Sequence, residues 1–529
     1  MGKIISRLLK FFSYKNNNYI NYKVWLNIDD KNFIYPENNY SQIKEKLDIG
    51  LCLSGGGLRA TTFSFGCLRS LYNLNVLKKI KYISANSGGS WILAPLSYMD
   101  KNIDLDIFFD KYIPPEKITL EKIKEINQDS FTNLLHSNLI IDDLIKNYCE
   151  NTIFNDKYNI EDFWSKTMSE IFLKKYNLDK FDLVPSIDMT KLDMPYPIIV
   201  GTAYISKDID IGNIEFTPLY YGICNKIKID EKTTIGCNLI EPIGFTSIQK
   251  KDQDKNIKKI NENIIEVNTL EPENVISIPK IMGISSSAIS IIQKYINNKI
   301  NDILDFSFIN YYDYNSSNYF NNNLQLTDGA LFDNNALLSQ IRRNIKKIII
   351  INTFNFNSEN ISTDVFKSNL GNNLAGFFGV GTFDDTYFGY TIEEYNKYRK
   401  IFDKEKWNDI IELYKKNKNL INIKLEVFEN KYNGVRGNYE VELLIIFLEK
   451  DDWIDKLPEE TKNYINNNSN DKIENILETL NIKEVEFNNF PHISAQKLNY
   501  SKELVNSITQ LGSYIIDKNK DIINKFINT

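Results

Sequence analysis

Histidine is nearly absent from the chain: His136 and His492 are the only two in 529 residues, and neither stands in a motif-like setting. A nucleophile activated by imidazole therefore has little to draw on. Cysteine is sparse as well. Cys52, Cys67, Cys149, Cys224 and Cys237 are scattered without a Cys-x-x-Cys pair, which argues against a zinc site or a disulfide framework and for a reducing, cytoplasmic compartment. No apolar run approaches the roughly 20 residues that span a bilayer. There is no excess of positive charge either. The formal net charge of −6 gives no general attraction to nucleic acid or to an anionic membrane, so any basic surface must be local. The Lys250 to Lys259 cluster reads as a solvated loop.

The chain is 42% hydrophobic and 13% aromatic, enough to bury a large core. Three segments carry chemistry. Leu51 to Ala60 is an apolar run that ends in Gly55, Gly56 and Gly57, where backbone amides can approach a ligand and open a helix. No Gly-Lys-Ser/Thr follows, so a nucleotide P-loop does not fit. Tyr82 to Trp91 is a second apolar run, and it ends in a small-x-Ser-Gly-Gly turn that would lift the Ser87 hydroxyl from the sheet edge. In the third, Leu324 to Asn335, Asp328 closes a short alternating stretch before the turn-forming Gly329. A carboxylate at a strand's C-terminal end can take a serine proton directly, so the reading is a Ser87–Asp328 dyad.

These segments resemble the motifs of the patatin-like phospholipases and of the related cytosolic phospholipase A2 catalytic domain. Those motifs are a glycine-rich oxyanion loop, a Gly-x-Ser-x-Gly elbow and an Asp-Gly-Gly/Ala carboxylate, in that order. Ser54-Gly55-Gly56-Gly57-Leu58-Arg59-Ala60 is similar to the first, and Ala85 stands where the elbow has its first glycine. Ile284 to Ala288 and Phe490-Pro491-His492 are weaker echoes. The resemblance implies a lipid acyl hydrolase, of phospholipase A type, with Ser87 as nucleophile and Asp328 as base. Gly55, Gly56, Gly57 and Gly88 would supply oxyanion amides and Arg59 would contact a lipid phosphate. No metal or organic cofactor is implied. A neutral-lipid lipase or transacylase on the same dyad, or a non-catalytic lipid-binding effector, are the alternatives.

The order strand, glycine loop, helix, strand, elbow helix implies parallel strands with their site at the C-terminal edge. The expected fold is α/β, with a mainly parallel central sheet flanked by helices, patatin-like. Residues 1–44 read as an N-terminal segment and linker and 45–529 as one acyl hydrolase domain, with 100–190 as a helical cap insertion. Further strands are expected at Ile198 to Tyr204, Leu324 to Thr327 and Lys347 to Thr353, with a hairpin around Asn433-Gly434. Gly376 to Tyr390, rich in glycine and aromatics, reads as core filling or as a lid. Ile4, Ile5, Leu8, Leu9 and Phe12 fall on one helix face flanked by Lys3, Arg7 and Lys10, as in an interfacial helix, and Met-Gly-Lys-Ile-Ile-Ser fits lipidation at Gly2. The expected partner is a phospholipid or membrane surface, with no nucleic acid.

Overall fold

A computed structural model describes residues 19–136, 163–191, 193–204, 211–229, 231, 233–247, 257–272, 274–287, 307–315, 321–354, 374–381, 391–468, 487, 489–495 and 497–529. Its strands are β1 (Tyr19–Trp25), β2 (Leu47–Leu53), β3 (Ile80–Ala85), β4 (Tyr196–Tyr204), β5 (Gly212–Phe216), β6 (Tyr221–Lys228) and β7 (Thr234–Ile240). These are followed by β8 (Ile257–Asn261), β9 (Ile264–Leu270), β10 (Ser307–Tyr312), β11 (Asn321–Asp328), β12 (Lys347–Asn352), β13 (Leu420–Val427) and β14 (Tyr439–Phe447). All join one 14-stranded sheet in the order β13-β14-β12-β2-β3-β4-β5-β6-β7-β1-β9-β8, with β11 on β4 and β10 on β11.

The centre of this sheet is parallel, because β14, β12, β2, β3 and β4 all run the same way. Such strands are buried on both faces and read as continuous apolar runs. Ile348 to Ile351 shows why: Ile349 and Ile351 enter one core with Leu51, Leu53 and Ile83, while Ile348 and Ile350 enter the other with Cys52, Tyr82 and Ile198. The α/β class, the central sheet and its flanking helices are as expected. The parallel part is smaller than expected, because antiparallel pairs extend it from β4 through β5, β6, β7, β1, β9 and β8, and β13 closes the other edge. Residues 19–44 are also not a linker. Tyr22 and Val24 alternate into the main core from β1, and Glu37 is wholly buried against Arg343.

Five helices bear on the site: α1 (Gly57–Asn73), α2 (Gly88–Tyr98), α3 (Phe163–Phe172), α4 (Ile278–Ser285) and α5 (Lys502–Lys518). Helices α1 and α5 meet closely, since a Cβ on Gly66 would come within 2.1 Å of the Thr509 carbonyl. The buried Arg69 side chain then bonds Ser513 Oγ at 2.9 Å, the Thr509 carbonyl at 3.1 Å and Gln510 Oε1 at 3.0 Å. The described parts of the expected cap hold helices and no strand. They are built into the main core, where Phe65 packs on Phe108, Phe109 and Phe131, and Trp91 on Trp164 and Phe172. Phe377 and Phe378 are buried in the second core, while 382–390 lie outside the described residues. Gly2 and the amphipathic segment before Tyr19, residues 137–162, and residues 250–256 of the lysine cluster are outside them as well. No described helix is long and apolar enough to cross a membrane.

Candidate active site

The meeting of Ser87 and Asp328 follows from one lane of the sheet. Beside β4, the lane is occupied first by β3, whose last pair is Ala85 with Ile199, and then by β11, whose last pair is Asp328 with Gly201. Strand β11 runs antiparallel to β4, so its C-terminal end comes back toward the C-terminal end of β3. The two strands point at each other, and their next residues share the gap. Ser87 Oγ donates to Asp328 Oδ2 at 3.1 Å.

Ser87 sits at φ 47°, ψ −123°, between β3 and the first residue of α2. A non-glycine residue there is strained, and strain of this kind persists only where neighbours over-determine it. Those neighbours are identifiable. The Ser87 N–H donates to both the carbonyl and the hydroxyl of Ser285, each at 3.1 Å, and the Ser285 carbonyl also accepts from Gly329 N–H at 3.3 Å. The C-terminal end of α4 thus clamps the elbow and the Asp328 turn together. Helix α4 is itself seated on α3, where Trp164 Nε1 donates to Ser286 Oγ at 3.0 Å. Ser285→Ala deletes the hydroxyl acceptor and keeps the carbonyl. Its expected cost is about fivefold in kcat, the worth of one modest hydrogen bond, with KM unchanged. Steady-state kinetics on a soluble ester measures this, and an unchanged kcat would show that the carbonyl alone holds the elbow.

Asp328 is buried, and burial pushes its carboxyl up to about 6. Hydrogen bonds from the Ala330 N–H and the Ser87 hydroxyl, with the Asn86 amide beside it, hold it from rising further. Ala330 N–H meets Oδ1 at 2.8 Å, which leaves Oδ2 for Ser87. The Asp328 carbonyl accepts from Thr202 Oγ1 at 2.9 Å. A carboxylate poised near neutral pH is what a general base needs.

The glycine loop lies against the elbow. A Cβ on Gly88 would reach the Gly57 carbonyl at 2.1 Å, so the two turns pack backbone on backbone. Gly57 and Gly88 are the first residues of α1 and α2, so their N–H groups have no intrahelical acceptor, and two helix N-termini bring positive potential to one place. Gly56 precedes them at φ 131°. Gly55 is different. Its N–H donates to the Asn334 carbonyl at 2.9 Å, so it is a fastening of the loop and not one of the oxyanion donors expected from sequence. Asn334 Oδ1 also accepts from Asn86 Nδ2 at 2.8 Å, and Thr353 Oγ1 donates to the Gly55 carbonyl at 2.8 Å.

Arg59 is buried, with Nη1 donating to the Ile493 carbonyl at 2.7 Å. Its Nε has no partner among the described residues, and Nη2 would lie 3.4 Å from a Cβ on Gly56. Burial lowers its pKa, and among the described residues no carboxylate pairs with it. The two histidines are engaged elsewhere: His136 Nδ1 lies 3.2 Å from the Tyr500 carbonyl and His492 Nε2 lies 3.5 Å from Glu449 Oε1. Among the described residues no group of three or more His, Cys, Asp or Glu is placed to hold a metal ion. Sequence reading gave no role to Ser285, Asn86, Asn334, Thr202 or Thr353. All five stood inside segments it quoted, but nothing local tells a clamp from an ordinary polar residue.

Residues 49–235 match the family model described as the lysophospholipase catalytic domain, in agreement with the resemblance stated from the motifs. No curated protein matches the chain. Among solved structures it is similar to the human GIVD cytosolic phospholipase A2, at 12% identity and TM-score 0.44, over 90% of this chain and 59% of that one. The complex of that protein with methyl gamma-linolenyl fluorophosphonate gives 12% identity and TM-score 0.44, over 92% and 60%. The complex that also contains terbium chloride gives 13% identity and TM-score 0.43, over 90% and 59%. The chain thus spans about three fifths of the length of these structures.

Proposed function

We propose, with the lysophospholipase-type pattern of residues 49–235 as premise, that the chain is a phospholipid acyl hydrolase of the phospholipase A type working through a Ser87–Asp328 dyad. The observation that carries the reading is the 3.1 Å hydrogen bond from a strained, buried serine to a carboxylate raised to about 6. Asp328 Oδ2 takes the hydroxyl proton as Ser87 Oγ attacks the acyl ester carbonyl carbon. The oxygen of the tetrahedral intermediate becomes negative beside the N–H groups of Gly56, Gly57 and Gly88. Collapse breaks the bond to the alcohol oxygen, which leaves with the proton that Asp328 returns. Asp328 next takes a proton from water as that water attacks the acyl-serine ester, and release of the fatty acid restores Ser87. No step calls for imidazole, metal or cofactor.

Arg59 supports a phosphate-bearing substrate. A buried guanidinium with a free Nε and no ion partner among the described residues carries an unpaid desolvation cost that an anion would relieve. Arg59→Ala is therefore expected to cost about tenfold more in kcat/KM on a phospholipid than on an uncharged acyl ester. Paired assays on the two substrates test this. Equal losses would assign Arg59 to fastening the Ile493 carbonyl and would favour a neutral lipid as substrate. Attachment to a membrane surface, with residues 1–15 as an interfacial anchor lipidated at Gly2, belongs to the same proposal.

A further inference from the structure

The two glycine amides that meet beside Ser87 belong to different helices. Gly57 opens α1 and Gly88 opens α2, so neither helix by itself sets the distance between their N–H groups. Steric contact sets only the lower limit, since a Cβ on Gly88 would come within 2.1 Å of the Gly57 carbonyl. Two helix N-termini, each carrying about half a positive charge, push apart from there. An attractive contact has to oppose them, and Thr61 makes one. Its wholly buried side chain donates to the Gly88 carbonyl at 2.7 Å and lies 3.1 Å from the Gly57 carbonyl, four residues back in its own helix. Among the described residues this is the one side-chain hydrogen bond that passes from α1 to α2.

The neighbouring Thr62 shows what an ordinary helical threonine does here. It is as deeply buried, and its hydroxyl donates to the Leu58 carbonyl of its own helix at 2.7 Å. At Thr61 the same backward contact is the longer of two, and the hydrogen is drawn to the other helix. The acceptors are the same two glycines whose N–H groups are the proposed oxyanion donors. A glycine's carbonyl lies two torsions from its N–H with no side chain to stiffen them, so holding the carbonyl holds the amide. We propose that Thr61 is a positioning residue, which sets the spacing of the Gly57 and Gly88 amides so that both reach the oxygen of the tetrahedral intermediate. An oxyanion donor works within about 2.7 to 3.1 Å of that oxygen, so a drift of about half an ångström between the two helix ends costs rate. Thr61 acts through the two glycines, because its own hydroxyl is spent on their carbonyls. This role rests on the acyl hydrolase reading of Ser87 proposed above.

The test uses the full chain and a soluble short-chain acyl ester. Rates are expressed per Ser87 labelled by a fluorophosphonate at completion, so that any protein that has not folded drops out of the comparison. Thr61→Val keeps the shape of the side chain and removes the hydroxyl. It is expected to lower kcat about tenfold, less than the roughly 10² to 10³ that follows loss of a whole oxyanion donor. KM should stay within about twofold of the parent and the pH midpoint of kcat/KM should not move, because the variant leaves substrate binding and Asp328 untouched. Thr61→Ser restores the hydroxyl and should return kcat to within about threefold of the parent, while Thr62→Val, which loses only a backward bond within α1, should stay within about twofold. A parental kcat in Thr61→Val would overturn the proposal. So would an equal loss in Thr62→Val, which would reduce the effect to a loosened helix, or a shifted pH midpoint, which would place the effect at Asp328. Failure of the underlying acyl hydrolase reading looks different: the parent itself would neither turn over the ester nor be labelled at Ser87, and the role of Thr61 would fall with it.

Discussion

Ser87→Ala is expected to lower kcat on acyl esters by about 10⁴ to 10⁶, leaving only what the amides of the glycine loop and substrate binding supply. The hydroxyl is the sole nucleophile in the proposed mechanism. Its packing role is small: it makes the bond to Asp328 Oδ2 and stands at a backbone φ of 47° that alanine must also adopt. The strain is held by Ser285 through backbone N–H bonds that survive the substitution. The variant should therefore unfold within about 1 kcal/mol of the parent. Ester hydrolysis by the purified variant, with thermal unfolding alongside, makes the comparison. Turnover near the parental rate would remove the enzyme reading.

Asp328→Asn should cost about 10³ to 10⁴ in kcat/KM, because an amide cannot accept the serine proton. It should also stabilise the protein. The carboxyl has a folded-state pKa of about 6 against an ordinary value of 3.8, with burial as the main cause. A raised pKa means that the native state holds the proton more tightly than the unfolded chain does. Stability from this group therefore falls as pH rises from about 4 to 6, and above that range the native state carries the full cost of a buried charge, at most about 3 kcal/mol. An amide carries no such cost. Unfolding midpoints of parent and variant should be alike near pH 4 and diverge in the variant's favour by pH 8. In the parent, kcat/KM should decline about tenfold per unit of pH below about 6, as the base is protonated. A variant less stable at pH 8 than its parent would mean that the bonds to Ala330 N–H and Ser87 outweigh the desolvation.

How far the sequence revealed this structure depended on range. Local patterns were legible: β12 (Lys347–Asn352) falls on the strand expected at Lys347 to Thr353, and the Leu420–Val427 and Tyr439–Phe447 hairpin surrounds its Asn-Gly turn. The motifs located Ser87, Asp328 and the glycine loop because their chemistry is short-range in sequence. The antiparallel wing was not legible. Strands such as β5 and β8 are only five residues long, and β1 binds β9 across more than 200 residues, a pairing that no local periodicity announces. The reversal of β11, which turns Asp328 back on the elbow, escaped reading for the same reason. A carboxylate at a strand end does not say which way the strand runs. Gly55 was mistaken for a donor because three consecutive glycines look equivalent until one amide is seen to be taken by Asn334.

The central claim is that a serine is activated by a carboxylate with no histidine. Labelling by a fluorophosphonate followed across pH, with the modified peptide mapped, tests it most directly. A single adduct is expected on Ser87, formed at a rate that rises with pH to a plateau about a midpoint near 6. The rate should be almost abolished in Asp328→Asn and retained in His136→Ala and His492→Ala. An adduct on another residue, or loss of labelling in a folded histidine variant, would contradict it.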